Sequence, residues 1–460
     1  MRPELDPGFV SAALWNRAYR TAVDAEPASE DVVLGLGRPD GTMYVHRTRV
    51  LPASDGNTPL NNLHVERLVK FLLWQKGGSR IYVGGPADIG ASIRAAYAPD
   101  GRQAFDYDIM GRRMFLAPMQ VVACTPDEVP APHERDVLLG RNLDGCRIGF
   151  DLGGSDRKAA AVVDGEVVFS EEIEWDPYFQ SDPQYHLDGI RDSLQRAAAH
   201  LPRVDAIGGS AAGDYVNNEV RVASLFRGLS EEDFDRHARK IFHRLREEWG
   251  NIPFEVANDG EVTALAGSMS LNDNGVLGVA MGTSMAAGYC NAGGRITSWL
   301  DELAFAPVDY REDAPVDEWS RDRGCGVQYF SQQAVARLAP AAGIELPSDM
   351  PLPDCLRDVQ DRMKKGDERA ARIYRTIGTY LGYALLTYTD FYEIRHLLLL
   401  GRVTSGAGGE IIMEQARGVL RAEAPELADR IAISMPDETM KRHGQAIAAA
   451  SLPELEKNTK

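Results

Sequence analysis

The chain is short of positive charge, poor in cysteine and without a long apolar run. Lys and Arg number 50 against 68 Asp and Glu, a formal charge of −18 over 460 residues. A surface this acidic argues against non-specific nucleic-acid binding and against docking on anionic membranes. It still leaves room for a local cleft that takes an anion. The five cysteines (Cys124, Cys146, Cys290, Cys325 and Cys355) are scattered and form no CxxC pair. No disulfide framework is expected, and a reducing, cytoplasmic setting fits. No apolar stretch approaches the roughly 18–20 residues of a membrane span, and no secretory n-region is present. What the chain does have is 44% apolar residues, enough for ordinary cores. Its length suits two or three domains.

From Ile148 onward the text alternates between strand and helix. RIGFDLGG reads as a strand ending in a turn. AAAVVDGEVVFSEEIEW reads as two strands about an Asp164-Gly165 turn. Pro183 to His200 has helical spacing, and Val204 to Gly209 is a short strand. Ser230 to Trp249 reads as one amphipathic helix with an acidic start, and PFEVANDG as a strand running into a loop and helix. The second half follows the same logic. GVLGVAMGTSMAAGYC is a strand, a Gly-Thr-Ser turn and a returning strand. Asp367 to Thr389 is helical, HLLLLGRVTSGAGG is a strand and glycine loop, and HGQAIAAASL closes as a helix. Two related α/β lobes facing a cleft are predicted, over residues 145–270 and 271–460.

Residues 1–140 read as a separate α+β domain of unknown role. VVLGLGRPDGTMYVHRTRV is a hairpin near Asp40-Gly41, Val65 to Gln75 a helix and RIYVGGP a strand. FDYDIMGRRMFLAP reads as a second hairpin around Gly111. Hairpin, helix and strand in that order loosely echo the lobe that follows. Thr125 to Arg135, with three prolines, is the expected linker.

Four motifs carry chemistry. In DLGGS, Gly153 and Gly154 let backbone amides approach a phosphate, and Ser155 adds a hydroxyl donor. Asp151 before that turn would hold a water of phosphate-bound Mg²⁺. Taken alone, the fragment is equally a hairpin that needs glycine to turn. A second turn, Gly282-Thr283-Ser284, would clamp the same polyphosphate from the other side. In EVANDGEV, Asp259 lies between a strand and a helix, placed to accept a proton from a hydroxyl attacking a γ-phosphoryl group. Asn258 would hold a neighbouring hydroxyl; either residue alone would also serve as a helix N-cap. In LLLLGRVTSGAGG, Gly401 and Gly406 would border an adenosine, or belong to an ordinary strand-to-helix loop.

These motifs, in this order, resemble the ROK family of bacterial sugar kinases and related repressors. The resemblance covers about residues 146–452. It implies the two-lobed actin-like ATPase (ribonuclease H-like) kinase fold, with the N-terminal α+β domain as an addition. DLGGS is similar to the family's DLGGT, NDGEVTALAG to NDANAAALGE, GVAMGTSMAAGY to LGTGVGGG, LLLLGRVTSG to LGGGV, and IGGSAAG followed by VASLF to GVPG…APNL. The family's catalytic base then falls on Asp259. ATP and Mg²⁺ are the implied cofactors, and a homodimer is expected.

The departures fall on the acceptor side. The family's GE-x-GH motif and its CxCGxxGCxE zinc cluster are replaced by DELAFAPVDY and RGCGVQYFSQQAV. Glu302 matches the first Glu and would hold a substrate hydroxyl. Phe305 stands for the His and Val327 for the last Glu, and Cys325 alone remains of the cysteines. One thiol cannot build a tetrahedral site, so no zinc is expected. Losing two hydroxyl-reading side chains argues against glucose and favours a cyclitol, an amino or deoxy sugar, or a modified sugar. No helix pair with a basic recognition helix precedes the kinase-like part, which argues against DNA binding. The expected activity is ATP-dependent phosphorylation of a polyhydroxylated ring. A non-catalytic sugar sensor, and an ATPase or phosphohydrolase, are the alternatives.

Overall fold

The computed structural model describes residues 1–134, 137–436 and 444–455. Four sheets organise it. Glu30–Gly37 (β1) and Met43–Val50 (β2) form the hairpin expected about Asp40-Gly41, where Gly41 takes a φ of +89°. Arg80–Gly84 (β3) and Gln120–Cys124 (β4) complete a sheet of order β2-β1-β3-β4.

The second sheet holds Cys146–Leu152 (β5), Asp156–Val163 (β6), Glu166–Glu174 (β7) and Ala206–Ala211 (β8). Asp214–Val216 (β9) and Glu219–Val222 (β10) make a separate small hairpin. Phe254–Asn258 (β11) then closes the order β11-β8-β5-β6-β7. The last sheet is built from Val276–Met281 (β12), Met285–Cys290 (β13), His396–Leu400 (β14) and Ala432–Ser434 (β15), in the order β13-β12-β14-β15.

The second and last sheets share one plan. Each opens with an antiparallel hairpin, β5–β6 or β12–β13, and extends through parallel strands, β8 and β11 or β14 and β15. Leu397, Leu398 and Leu399 of β14 form a continuous apolar run because both faces of the strand are covered there. Helix Gln445–Ala450 lies against β5 and β8 because Gly149 and Gly208 lack side chains. A Cβ there would meet the carbonyls of Ala446 and Ala449 at 1.9 and 1.7 Å.

The first sheet does not repeat that plan. β3 runs antiparallel to β1, whereas β8 runs parallel to β5, so the echo in element order does not extend to topology. The expected hairpin around Gly111 is also absent. Ala104–Met114 is helical, one turn of α followed by a π-helix. Ile109, Met110 and Met114 share its buried face, a helical spacing that the glycine obscured. Gly111 is needed for packing rather than turning, since a Cβ there would lie 2.9 Å from the Met119 nitrogen. The helix expected over Ser230–Trp249 is interrupted too. It divides into Glu231–Asp233, a π-helical turn and Ile241–Glu248, with Ser230 capping as its sequence suggests. Of the expected linker, the part up to Glu134 lies against β2 through a Met43–His133 bridge; Arg135 is outside the described residues, as is His443 of the expected closing helix.

The N-terminal residues join the last sheet's core. Leu5 and Ala13 pack among Tyr380, Leu381 and Tyr383 of helix Glu368–Tyr388, and Asp6 accepts hydrogen bonds from Arg311 (2.7 Å) and Tyr380 (2.6 Å). Helix Asn57–Lys76 is held by a buried ionic network. The ammonium of Lys70, with no exposed surface, lies 2.9 Å from Asp106 and 3.2 Å from Asp322. Arg67 reaches the same Asp322 at 2.7 Å. The two cations hold the Asp322 carboxyl far below the usual carboxylate range, against the opposing push of burial.

Removing one partner from such a network strands the others without water. Lys70→Met is therefore expected to lower unfolding free energy by about 3–5 kcal/mol, read from urea denaturation. An unchanged midpoint would show that the network does not hold the N-terminal region in place.

Candidate active site

Asp259 stands at the head of helix Asp259–Leu271, directly after β11. Asn258 is the N-cap. Its side-chain oxygen accepts from the Gly260 amide at 2.7 Å, and its amide donates to the Gly213 carbonyl at 2.8 Å. Both polar ends of Asn258 are thus engaged within the protein, and they tie the helix head to the loop before β9. Gly260 packs against β13, where Gly288 admits it; a Cβ at 288 would lie 2.2 Å from the Gly260 carbonyl carbon. Asp259 accepts from the Gly260 amide at 3.0 Å. Burial pushes its carboxyl above the ordinary Asp value.

Asp151 is the penultimate residue of β5, within reach of the Asp259 charge. Ser210 of β8 donates to the Asp151 carboxylate at 2.7 Å, and Gln445 donates to Ser210 at 3.1 Å. Burial, with a further contribution from the Asp259 charge, raises Asp151 to about 6. The turn after Asp151 is narrow. The Gly153 amide bonds the Asp156 carbonyl, Trp175 Nε1 donates to the Gly153 carbonyl at 2.8 Å, and Ser155 donates to Asp156 at 2.9 Å. The hydroxyl of Tyr178 fills the space that a side chain at Gly154 would need, and Arg227 stacks on that ring at 4.1 Å. Arg227 therefore brings a cation near the first glycine turn, a role the sequence reading did not give it.

The second turn ends β12. The Gly282 amide bonds the Ser284 carbonyl, while Thr283 and Ser284 are exposed. Gly401, at φ +91°, lies against this strand end, since a Cβ would meet the Met281 carbonyl oxygen at 2.4 Å. Gly406, at φ +68°, is the N-cap of helix Ala407–Glu423, with open space where a Cβ would be. The glycine loop is thus adjacent to the second turn.

The opposite wall is acidic and comes from three regions. Asp214 of β9 and Glu302 hydrogen-bond each other. Two carboxyls in contact cannot both ionise, so the pair retains a proton. Burial takes Asp214 to about 7 and Glu302 well above its usual range. Buried Asp301 is raised to about 7, and Glu261 lies well up, with Oε1 lacking a hydrogen-bond partner. The nearby cations are Arg38 and Lys76, both from the N-terminal region. Arg38 donates to the Ser298 carbonyl at 2.8 Å, and Lys76 lies over the Trp299 ring.

The N-terminal region forms a roof over this wall. The amides of Leu300, Asp301 and Glu302 donate to the carbonyls of Gln75 and Trp74 at 2.9–3.1 Å, satisfying the end of helix Asn57–Lys76. Phe305 packs at a tilt against Trp74, 4.2 Å between ring centroids, and against Phe105 at 5.4 Å. On the other side, Val216 and Val222 of the β9–β10 hairpin pack against the first sheet's core. The change from His to Phe at 305 is thus a packing contact with the roof. Cys325, where the zinc cluster was compared, is fully buried, and burial raises its thiol to about 12, which disfavours the thiolate. Among the described residues no three His, Cys, Asp or Glu side chains converge as a metal cage. No helix among them is long and apolar enough to cross a membrane. Sequence reasoning missed Asp214, Glu261, Asp301, Arg38 and Lys76. Only Asp214, directly after the glycine loop IGGSAAG, carried a local signal.

Solved structures with this architecture include the ROK hexokinase of Thermus thermophilus, with a TM-score of 0.52 and 18% identity over 66% of this chain and 96% of that one. Another is a ROK family transcriptional regulator, a homologue of the Escherichia coli MLC protein, with a TM-score of 0.51 and 18% identity over 67% of this chain and 79% of that one. No family model and no curated protein matches the chain. The chain therefore has the α/β actin-like fold of ROK-family kinases and regulators over two thirds of its length. That fold hosts both enzymes and regulators, and the remaining third lies outside each match.

The acidic wall makes a pH prediction. Between the unfolded Asp value near 3.8 and the folded values of about 6 for Asp151 and about 7 for Asp214 and Asp301, the native state binds more protons than the unfolded chain. The contribution of these groups to stability is therefore lost as pH rises from about 4 to about 7. Asp214→Asn should flatten that part of the curve and raise the melting temperature at pH 7. A wild-type profile that rises across this window, unchanged in the variant, would contradict the assignment.

Proposed function

We propose that the chain is an ATP-dependent kinase that phosphorylates a hydroxyl of a sugar, amino sugar or cyclitol. One observation carries this reading: a carboxylate of raised pKa, Asp259, heads a helix beside Asp151 and next to a wall of polar groups. A general base works best when its pKa lies near the operating pH. In this reading Asp259 takes the proton of the acceptor hydroxyl as its oxygen attacks phosphorus. Asn258 orients the loop before Asp214 and borders the acceptor. Glu302 and Asp214 hold acceptor hydroxyls, the protonated carboxyl donating and the other accepting.

Mg-ATP would supply the phosphoryl group. The residues suit it: Asp151 is a single carboxylate at a glycine turn, which fits a hydrated Mg²⁺ shared with phosphates better than an all-protein cage. Gly153, Gly154, Ser155, Gly282, Thr283 and Ser284 would meet the phosphates, and Gly401 and Gly406 the adenosine. In domain terms, residues 145–270 and 271–460 are the two lobes. Residues 1–140 are read as a cap that touches both and shapes the acceptor side. The aromatic cluster at Phe305 closes part of the space where a hydroxyl-reading His would stand, which supports an acceptor other than glucose. The sensor reading draws on the regulator of the same fold.

The test is ADP release with Mg-ATP against sugars, amino sugars and cyclitols. Turnover that requires one acceptor, and falls roughly 10²–10⁴-fold in Asp259→Asn while Mg-ATP still raises the melting temperature, is expected. Thermal stabilisation by a sugar without turnover would instead establish a sensor, and ADP release without acceptor a hydrolase.

A further inference from the structure

A cavity of about 230 Å³ lies apart from the cleft, where the N-terminal region meets the last sheet's helices. Helix Ala12–Ala25, strand β2 and helix Asn57–Lys76 form one side. Tyr310 and the end of helix Glu368–Tyr388 form the other. We propose that this cavity binds a small phosphorylated ligand.

The charge inside it runs against the charge of the chain. On a protein of net charge −18, the walls bring together Arg20, Arg47 and Arg67, with His46 and His64 beside them. One carboxylate, Asp390, lines the same space. Asp390 pairs with Arg20 at 2.8 Å, and Arg67 pairs with Asp322 of the buried network at 2.7 Å. Arg47 is exposed and has no ion-pair partner among the described residues. One cation at the cavity is therefore uncompensated.

The His64 ring is held down to about 4, first by burial and then by the charges of Arg20 and His46. An imidazole held this low is neutral at pH 7, so the positive charge of the wall is that of its arginines.

Three guanidinium groups entering from three elements match the oxygens of a phosphate better than they match one planar carboxylate. The rest of the wall includes Phe71, Phe391 and Tyr310, which suit a short organic body. The volume is below the roughly 300–1,000 Å³ typical of sites for drug-sized ligands. The occupant is therefore inorganic phosphate or the phosphomonoester of a small polyol, and a nucleotide does not fit. The site does not depend on the kinase reading. It does connect to the cleft: helix Asn57–Lys76 lines the cavity with His64 and Arg67, and ends at the carbonyls that hold residues 300–302.

The test is calorimetric titration of the intact protein with inorganic phosphate, glucose 6-phosphate and glucose. Parallel titrations use Arg47→Ala, Arg47→Glu and Arg20→Ala, with Thr283→Val as the control for phosphate bound in the cleft. Binding of a phosphorylated probe that weakens tenfold or more in the arginine variants and persists in Thr283→Val is expected. The histidine ring signals of His46 and His64 should also move on titration in NMR spectra. The better of the two phosphorylated probes identifies which source the site takes. No binding, binding lost only in Thr283→Val, or glucose binding as tightly as its phosphate would overturn the proposal. Arg47 is exposed, so its variants are expected to keep the wild-type melting temperature, and a loss of binding there is not a loss of fold.

Discussion

The ammonium of Lys70 is the contact on which the arrangement of the chain turns. It is fully buried, and it joins Asp106 of the N-terminal region to Asp322 of the loop before Cys325. A buried charge is tolerated only when paired and hydrogen-bonded, and Lys70 has Asp106, Asp322 and Gln103 as partners. The loop that carries Asp322 and Cys325 corresponds to the stretch compared with the zinc cluster of the ROK family. Here an ionic network with helix Asn57–Lys76 reaches that loop. The same helix ends on the amides of residues 300–302, so its position also sets where Glu302 stands.

That placement shapes the chemistry of the cleft. Asp214 comes from the five-stranded sheet's side and Glu302 from the loop under the roof, and their shared proton joins the two sides directly. Deprotonating the pair would set two charges against each other in a region where Arg38 and Lys76 are the nearby cations. The N-terminal region thus supplies both the covering surface and the positive charge that tempers the acidic wall. Asp151 and Asp259 differ in kind. They sit at strand ends of the five-stranded sheet, and the elements that position them are strands β5 and β11 with Ser210 and Asn258.

Much of the fold was readable wherever one period dominated. The hairpins β5–β6 and β12–β13, the continuous apolar run of β14 and the helix after Asn258 follow from alternation, buried strands and a capping residue. The reading failed where local signals conflicted. Gly111 suggests a turn, but its missing Cβ serves a close approach by Met119. Ser230–Trp249 has one amphipathic pattern, yet its helix breaks after Asp233 and resumes at Ile241. Asn258 caps the helix, and its side-chain amide is engaged by the Gly213 carbonyl.

Strand and helix periods, the glycine turns after Asp151 and Met281, and the position of Asp259 between a strand and a helix are local properties. They were legible because neighbouring residues alone set them. The roof, the Asp214–Glu302 pair, the approach of Arg38 and Lys76 to the acidic wall, and the arginine-lined cavity were not legible. Each joins residues far apart in the chain, and burial and Coulomb interactions act through space. Only the packing of helix Asn57–Lys76 against residues 300–325 decided which charges would meet.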